Sequence, residues 1–210
     1  MRDRLRPLDA EATVVPQPLN DQATDLLRRA IVCGQIPRGA KLVEGEIAAR
    51  LRAGRAPVRD ALLRLEGEGL VVRRGKWRHV LALSRQDLIA LHEVRQSLEL
   101  TALRLGIPRA TPAQHALLAA HGEEFHALAE AQDRSAYAFH DLAFHEALWT
   151  ISGNPFLMRA AQPIAGPIIM TMLSPLHVDS AWDWAGLRAS HDDLIASILR
   201  RDYDAAEHLM

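Results

Sequence analysis

Apolar residues recur at helical spacing between positions 56 and 68 of this 210-residue chain. The repeat consists of Val58, Ala61, Leu62 and Leu65, which fall at i, i+3, i+4 and i+7. Such spacing is typical of a helix with one buried face. Arg59 projects about 100° away from Val58 around the helix axis, so it faces outward. The pattern therefore predicts a packed helix whose outer side carries arginine.

A short basic hairpin is predicted directly after this helix. Gly67 and Gly69 are typical helix-ending residues, and the β-branched pair at 71–72 begins a strand. Residues 74–76, Arg-Gly-Lys, can turn the chain back into a second strand over 79–83. A helix with outward arginines followed by a basic hairpin is the layout of a winged helix-turn-helix that binds DNA. The alternative interpretation is an ordinary amphipathic helix and hairpin with a solvated basic face.

Two further short helices are predicted upstream. Residues 23–31 carry an apolar stripe that stops at Gly34, and residues 42–51 form the second helix. Residues 1–18 contain three arginines and three prolines without an apolar period, so we expect a flexible arm there. The sequence thus predicts a winged helix-turn-helix domain over residues 19–83.

The pattern is helical throughout from residue 84 onward. The predicted helices run from Ser84 to Gly106 and over about 111–131, 133–151, 155–173, 185–200 and 202 to the end. Pro, Gly, Asn and Ser residues separate them. We therefore expect residues 84–210 to form an all-α antiparallel helical bundle, so that the fold class is mostly α with a small β-hairpin wing.

The charge is divided unevenly between the two predicted domains. Residues 1–80 hold 16 Lys+Arg against 10 Asp+Glu, a net +6, whereas residues 81–210 hold 9 against 16, a net −7. These two values give the net charge of −1 for the whole chain. A basic front half joined to an acidic rear half is expected when only one half meets a polyanion.

Composition also indicates where the protein works. The single cysteine, Cys33, excludes an intramolecular disulfide and fits a reducing compartment. No apolar signal-peptide core is present at the N-terminus, and the apolar stretch over 163–178 is interrupted by Gly166, Pro167 and Pro175. We therefore expect a soluble, cytoplasmic protein that makes no membrane contact.

One pair of side chains in the rear half has metal-ligand spacing. Asp141 and His145 are four residues apart, about 40° from one another on the same helix face, and can supply two ligands to one divalent metal ion. His191, on a later helix, is the best placed third ligand. A surface pair or a hydrogen-bonded pair in the core explains the spacing about as well. We expect the histidines at 115, 121, 126 and 140 to be solvated or to cap helices.

Several motifs together resemble a known family. In the front half they are Leu26 to Gly34, Pro37-Arg38-Gly39, Glu44 to Leu51 and Arg55 to Leu62; in the rear half they are Glu93-Val94-Arg95 with Leu98-Glu99, Asp141 to Leu148 and Ser152 to Leu157. Their order and spacing over about residues 20 to 210 resemble the GntR family of bacterial transcription regulators, in its FadR-type branch with an FCD effector domain.

The resemblance implies two groups of DNA contacts. Arg52, Arg55 and Arg59 around the start of the recognition helix would reach base edges or phosphates in the major groove. Arg74, Gly75 and Lys76 would form the tip of the wing. Guanidinium groups can read guanine O6 and N7, while a lysine supplies a point charge to phosphate.

The same resemblance implies a metal ion and an effector in the rear domain. Asp141, His145 and His191 would bind a divalent ion, with zinc favoured and nickel or manganese as alternatives, and Arg95 would bind the carboxylate of a small effector. The family's last histidine ligand would fall near position 213, whereas the printed chain stops at Met210. His208 lies five positions earlier and about 140° round the helix, so it is a poor substitute.

Several positions depart from the family pattern. Arg52-Ala53-Gly54 replaces the usual Gly-Val-Ser, Ala56 stands where a small polar residue is usual, Gly45 stands where arginine is common, and the bulky Trp77 stands in the wing where glycine is preferred. We therefore expect DNA binding with an unusual sequence preference.

The resulting hypothesis is a ligand-responsive transcription regulator, a repressor that binds a two-fold operator in double-stranded DNA as a homodimer. One alternative is a metal-dependent all-α hydrolase, although no HExxH motif is present. A second alternative is a small-molecule binding protein whose front domain no longer binds DNA.

Overall fold

The computed structural model describes residues 19–173 and 182–210, so the predicted arm at 1–18 lies outside the described residues. The helices are α1 (Leu19–Val32), α2 (Glu44–Leu51), α3 (Arg55–Gly67), α4 (Arg85–Gly106), α5 (Pro112–Ala131), α6 (Arg134–Ile151), α7 (Pro155–Met172), α8 (Trp184–Leu199) and α9 (Tyr203–His208); the strands are β1 (Lys41–Leu42), β2 (Val71–Arg74) and β3 (Trp77–Val80). None of these helices is long and apolar enough to span a bilayer.

The front part of the chain is a winged helix-turn-helix. Three short helices pack around one apolar core, and β1, β3 and β2 form an antiparallel sheet in that order. The β2–β3 hairpin closes through Gly75, whose φ of 60° suits the first central position of a two-residue hairpin turn. Val71 and Val80 are opposite one another and buried, which anchors the hairpin on the helices.

The second helix begins later than the sequence pattern predicts. Residues 42–51 were expected to be helical, but Leu42 belongs to β1, where it pairs with Arg78 of β3, and α2 starts at Glu44. The sequence did not reveal β1 because two residues are too few to show a period of two. Leu42 is buried in the same core as the helices, so its apolar character fits either element.

The rear part of the chain is all-helical, as predicted. Its helices begin after side-chain caps: Ser84, Thr111, Asp133, Asn154, Asp183 and Asp202 each accept a hydrogen bond from a backbone N–H of the first turn. The cap residues explain why the predicted helix starts lie within one residue of those observed, and the last helix, α9, ends at His208, two residues before its predicted end.

Helix α7 joins the two parts of the molecule through its backbone. Pro167 has no N–H, so it cannot bond to the carbonyl oxygen of Pro163 one turn earlier. Next to this break, the N–H of Gly166 donates to the carbonyl oxygen of Glu68, at the end of α3, over 3.0 Å. Gly69 has a φ of 74°, and a Cβ there would lie 2.9 Å from Cδ of Pro167.

The core of the front part continues into the rear part. Ala138 of α6 and Ile169 and Met170 of α7 belong to the same buried cluster as the winged-helix core. Arg38 donates a hydrogen bond of 2.6 Å to the carbonyl oxygen of Met170. The winged-helix domain therefore packs directly on α6 and α7.

We predict that Gly166→Ala lowers the free energy of unfolding by about 2 to 3 kcal/mol, because its Cβ would lie 2.6 Å from Cγ of Leu70 and against the carbonyl oxygen of Glu68. Gly67→Ala is the matched control, since no atom of the described residues beyond its own turn of helix lies within 4 Å of the added Cβ, and this helical position should favour Ala by about 0.5 to 1 kcal/mol. Chemical denaturation measures both. Equal stabilities for the two variants would show that α7 does not press on α3.

Candidate metal centre and nucleic-acid interface

Three buried side chains converge inside the helical bundle. Asp141 and His145 lie one turn apart on α6, and His191 reaches them from α8. Nε2 of His191 is 2.9 Å from Oδ1 of Asp141, and Nε2 of His145 is 3.7 Å from the same oxygen. Each residue offers one ligand atom, and these atoms all lie within 4.8 Å of one another.

The hydrogen bonds of His191 orient its ring toward Asp141. Its Nδ1 lies 2.7 Å from the carbonyl oxygen of Leu187, which can only accept, so Nδ1 carries a hydrogen. The ring also stacks on Phe125 with centroids 3.9 Å apart. Nε2 is thus fixed to face Oδ1 of Asp141, where a hydrogen on Nε2, or a metal ion in its place, lies between the two atoms.

His145 is oriented by a second pair of charged residues. The Arg95 guanidinium, which can only donate, contacts Nε2 of His145 through Nη2, so that nitrogen accepts. Arg95 also donates from Nε to Oε1 of Glu99 over 3.0 Å. Nδ1 of His145 lies 2.7 Å from the same oxygen of Glu99, at an angle too bent for a hydrogen bond.

The pKa values in this cluster show that it attracts positive charge. Burial alone would raise the pKa of Asp141, but His145, His191 and Arg95 together hold it well below its usual range. Burial alone would lower the pKa of His145, but Asp141 and Glu99 raise it above its ordinary value. The point between the imidazoles and Asp141 therefore favours a cation, whether proton, guanidinium or metal ion.

The cluster opens into a cavity of ≈ 1220 Å³. Arg85 and Arg95 supply basic groups to its lining, Glu93 and Asp183 supply acidic ones, and Leu88 and Trp182 belong to its apolar wall. His208 faces a different and smaller cavity of ≈ 310 Å³, so it does not join Asp141, His145 and His191. The main cavity has room for a small molecule beside the three candidate ligands.

The sequence pattern did not reveal the contacts of Glu99, and it wrongly predicted the surroundings of two histidines. Glu99 is only 1% exposed and contacts both Arg95 and His145; its spacing of four residues from Arg95 was the available signal. His121 and His140 were expected to be solvated or to cap helices, but their half-buried rings pack 4.8 Å apart inside the bundle. The apolar neighbours that cover them come from other helices, which spacing along one helix does not show.

The predicted recognition-helix arginines lie on the exposed side of the winged helix. Arg52 ends α2 in the left-handed conformation, with a φ of 50°, and Arg55 and Arg59 lie on the first turns of α3. Arg59 is 60% exposed, and its Nε lies 3.1 Å from Oε2 of Glu44. The Arg55 guanidinium lies next to Gly45, where its Nη2 would be 3.7 Å from an added Cβ.

The predicted wing tip projects from the sheet, and ion pairs hold its base against α3. Glu66 of α3 contacts Arg78 at 2.9 Å and Arg73 at 3.3 Å, and Arg78 also contacts Glu44 at 3.1 Å. Arg74, Gly75 and Lys76 are exposed at the turn. The structure thus brings all six predicted DNA-binding residues to one small domain, in two groups.

Comparison with known proteins identifies two regions. Residues 19–78 match the sequence profile described as "Bacterial regulatory proteins, gntR family", and residues 90–210 match the profile of the FCD domain. Together the two profiles cover most of the described residues.

Relatives match over nearly the whole chain. A probable D-xylose utilization operon transcriptional repressor of Paenarthrobacter nicotinovorans is 32% identical over 197 residues, 90% of this chain and 82% of that protein. The HTH-type transcriptional repressor RspR of Escherichia coli K12 is 25% identical over 92% of this chain and 85% of its own length. The solved structure of E. coli McbR/YncC has a TM-score of 0.70 at 25% identity, and the match covers 92% of each chain. The first two proteins are named as transcriptional repressors and the matching family is one of regulatory proteins, which sets aside the hydrolase alternative.

The ion pairs of Glu66 predict a contribution to stability that depends on pH. The hydrogen bond from Arg78 holds the pKa of Glu66 below its ordinary value near 4.5. A lowered pKa in the folded state stabilises the fold above about pH 4.5 and loses that effect as the pH falls below it. When the pH falls from 7 to 4, the free energy of unfolding should decrease for both proteins. We expect this decrease to be about 0.5 kcal/mol smaller for Glu66→Gln than for the unmodified protein.

Denaturant titrations at the two pH values measure this difference. Glu46→Gln is the control, because Glu46 is exposed and joins none of the ion pairs found among the described residues. An identical loss of stability in the Glu66 and Glu46 variants would contradict the assignment.

Proposed function

The chain belongs to the gntR family of bacterial regulatory proteins and carries an FCD domain, so it is a DNA-binding transcription regulator; we propose that it is a repressor that senses a small carboxylate beside a divalent metal ion. The observation that carries this proposal is the convergence of Asp141, His145 and His191 with Arg95 in one cavity. A metal ion and a guanidinium at the same site offer two positive groups to one acid.

Asp141, His145 and His191 fit a divalent metal ion. Both imidazole Nε2 atoms lie near Oδ1 of Asp141, at 2.9 and 3.7 Å, and Nε2 of His145 would exchange its contact with Arg95 for the ion. Ligand bonds of about 2.0–2.2 Å place neighbouring ligand atoms roughly 3 to 3.6 Å apart, which is close to these distances. Nitrogen and carboxylate ligands suit zinc, and nickel or manganese accept the same set. When bound, the ion would supply a fixed positive charge and a coordination position for water or an effector oxygen.

Arg95 is the residue proposed to select a carboxylate. Its guanidinium lies at the edge of the cavity, where it contacts Glu99 and His145. The planar fork matches a carboxylate with two parallel hydrogen bonds. An acid entering the cavity would compete for Arg95 with Glu99, so binding would change the charge balance around His145.

Helix α7 offers a route from the cavity to DNA. Thr171 and Met172 at its end line the cavity, and Gly166 bonds to the end of the recognition helix α3. An effector that favours one arrangement of α7 would therefore bias the orientation of α3. Coupling of this kind is typically worth about 1 to 3 kcal/mol in operator affinity.

We place the protein on DNA as a homodimer on a two-fold operator. Each winged helix would read one half-site, with Arg52, Arg55 and Arg59 at the major groove and Arg74, Gly75 and Lys76 at the neighbouring minor groove. The exposed positions of these side chains support the assignment. The spacing of the half-sites would then follow from the dimer geometry.

We expect Arg59→Ala to weaken operator binding by about 1 to 3 kcal/mol if its guanidinium leaves Glu44 for a base. The fold should persist, because Arg59 lies off the buried face of α3. Arg64→Ala is the matched control on the same helix, since Arg64 lies in the last turn of α3, away from its proposed DNA-contacting start, and contacts Asp21 of α1. Gel shifts with DNA fragments taken from beside the regulator's own gene measure the affinity of both variants. Equal affinities would remove Arg59 from the interface.

The metal proposal predicts close to one divalent ion per chain after preparation in zinc-supplemented medium. A chelator should lower the melting temperature, because an ion bound only by the native state stabilises it. His191→Ala should lose both the ion and the chelator effect, and His208→Ala should keep them, since His208 faces another cavity. If elemental analysis finds no stoichiometric ion and the chelator leaves the melting temperature unchanged, the three residues only hydrogen-bond to one another.

A further inference from the structure

The outer face of the wing sheet carries Lys41 and Trp77, which no DNA contact assigned above explains. Lys41 of β1 lies opposite His79 of β3, and Arg74 of β2 lies opposite Trp77 of β3. Opposite partners, and residues two apart on one strand, share a face of the sheet. Lys41, Arg74 and Trp77 therefore lie on the same face, and all three are exposed.

The two faces of this sheet differ in how their charges are paired. On the inner face, Arg73 and Arg78 are bound to Glu66. On the outer face, Lys41 and Arg74 take part in none of the ion pairs formed within 19–173 and 182–210, and the same holds for Lys76 at the turn. The outer face thus presents positive charge that the described part of the protein does not neutralise.

Trp77 holds two of these cations. Nζ of Lys41 lies 3.2 Å from the centroid of its ring, and Nζ of Lys76 lies 5.3 Å from the same centroid. The side chain remains 39% exposed, so it does not serve as a core residue. The attraction of an ammonium group to an indole face restrains an otherwise flexible lysine.

We propose that Lys41, Trp77 and Lys76 form a phosphate-binding platform on double-stranded DNA beside the wing. Lys41 and Lys76 bind backbone phosphates, and Trp77 is a positioning residue that holds Lys41 next to Lys76. The proposal rests on the proposed contact between wing and DNA. It adds Lys41, which lies on β1 away from the hairpin tip, to the DNA-binding surface.

The position of Lys41 also decides how Trp77 acts. Stacking between two bases needs both ring faces, and the Lys41 ammonium covers one face of the indole at 3.2 Å. Insertion of the ring between base pairs would have to displace that ammonium. The platform therefore recognises the DNA backbone, and its contribution is independent of base sequence.

The test uses the full chain and a 30-base-pair duplex of arbitrary sequence, with binding followed by fluorescence anisotropy over a range of salt concentrations. Lys41→Ala should lower the slope of log K against log salt by about 0.9, the value for one lost phosphate contact. Trp77→Ala should weaken binding about 3- to 10-fold in the natural background but less than 2-fold in the Lys41→Ala background, because its effect passes through Lys41. Trp77→Phe, which keeps a ring face, should recover most of the affinity.

Arg109→Ala is the charge-matched control, because Arg109 is exposed in the turn that follows the C-terminal end of the 22-residue helix α4. It should leave the salt slope unchanged. Independent effects of Lys41→Ala and Trp77→Ala, or a salt slope for Lys41→Ala equal to that of the unmodified protein, would overturn the platform. The proposed function would still stand in that case, provided that the unmodified protein binds DNA. Absence of salt-dependent binding by the unmodified protein would overturn both. Circular dichroism melts establish that each variant is folded.

Discussion

Two carboxylates, Glu99 and Asp141, lie almost fully buried inside the helical bundle, and their need for positive charge organises the groups around them. An unpaired buried carboxylate is costly, so the fold supplies Arg95 and His145 to Glu99, and His145 and His191 to Asp141. His145 belongs to both sets. Any ligand that draws Arg95 away, or any ion that binds Asp141, therefore changes the partners of the whole cluster.

Local features of the sequence predicted the parts of the fold that depend on local order. The apolar stripe of α3 and the caps of the rear helices act within a few residues, so they are visible in the chain. Strand β1 is stabilised by β3, 38 residues later at Lys41 and His79, and the docking of α3 on α7 joins residues about 100 positions apart. Such contacts leave no periodic signal in the sequence.

The candidate sites show the same contrast between local spacing, which the sequence reveals, and contacts between distant residues, which it does not. Asp141 and His145 are one turn apart, so their spacing alone suggested a pair, whereas His191 had to come from another helix. Glu99 escaped notice because a glutamate four residues after an arginine is common on exposed helices, and only the fold shows that this one is buried. The ion pair between Arg59 and Glu44 was likewise invisible, since it joins α3 to α2.

The junction between the two halves is made largely by main-chain atoms. The donor at Gly166 and the acceptor at Glu68 belong to the backbone, and the nearby glycines and prolines let the two chains approach. Backbone groups survive most side-chain replacements, so the cavity can acquire new linings for new ligands without loosening this joint. Chimaeras that exchange the DNA-reading head for another should accordingly work only when the head brings a glycine where Gly69 now stands.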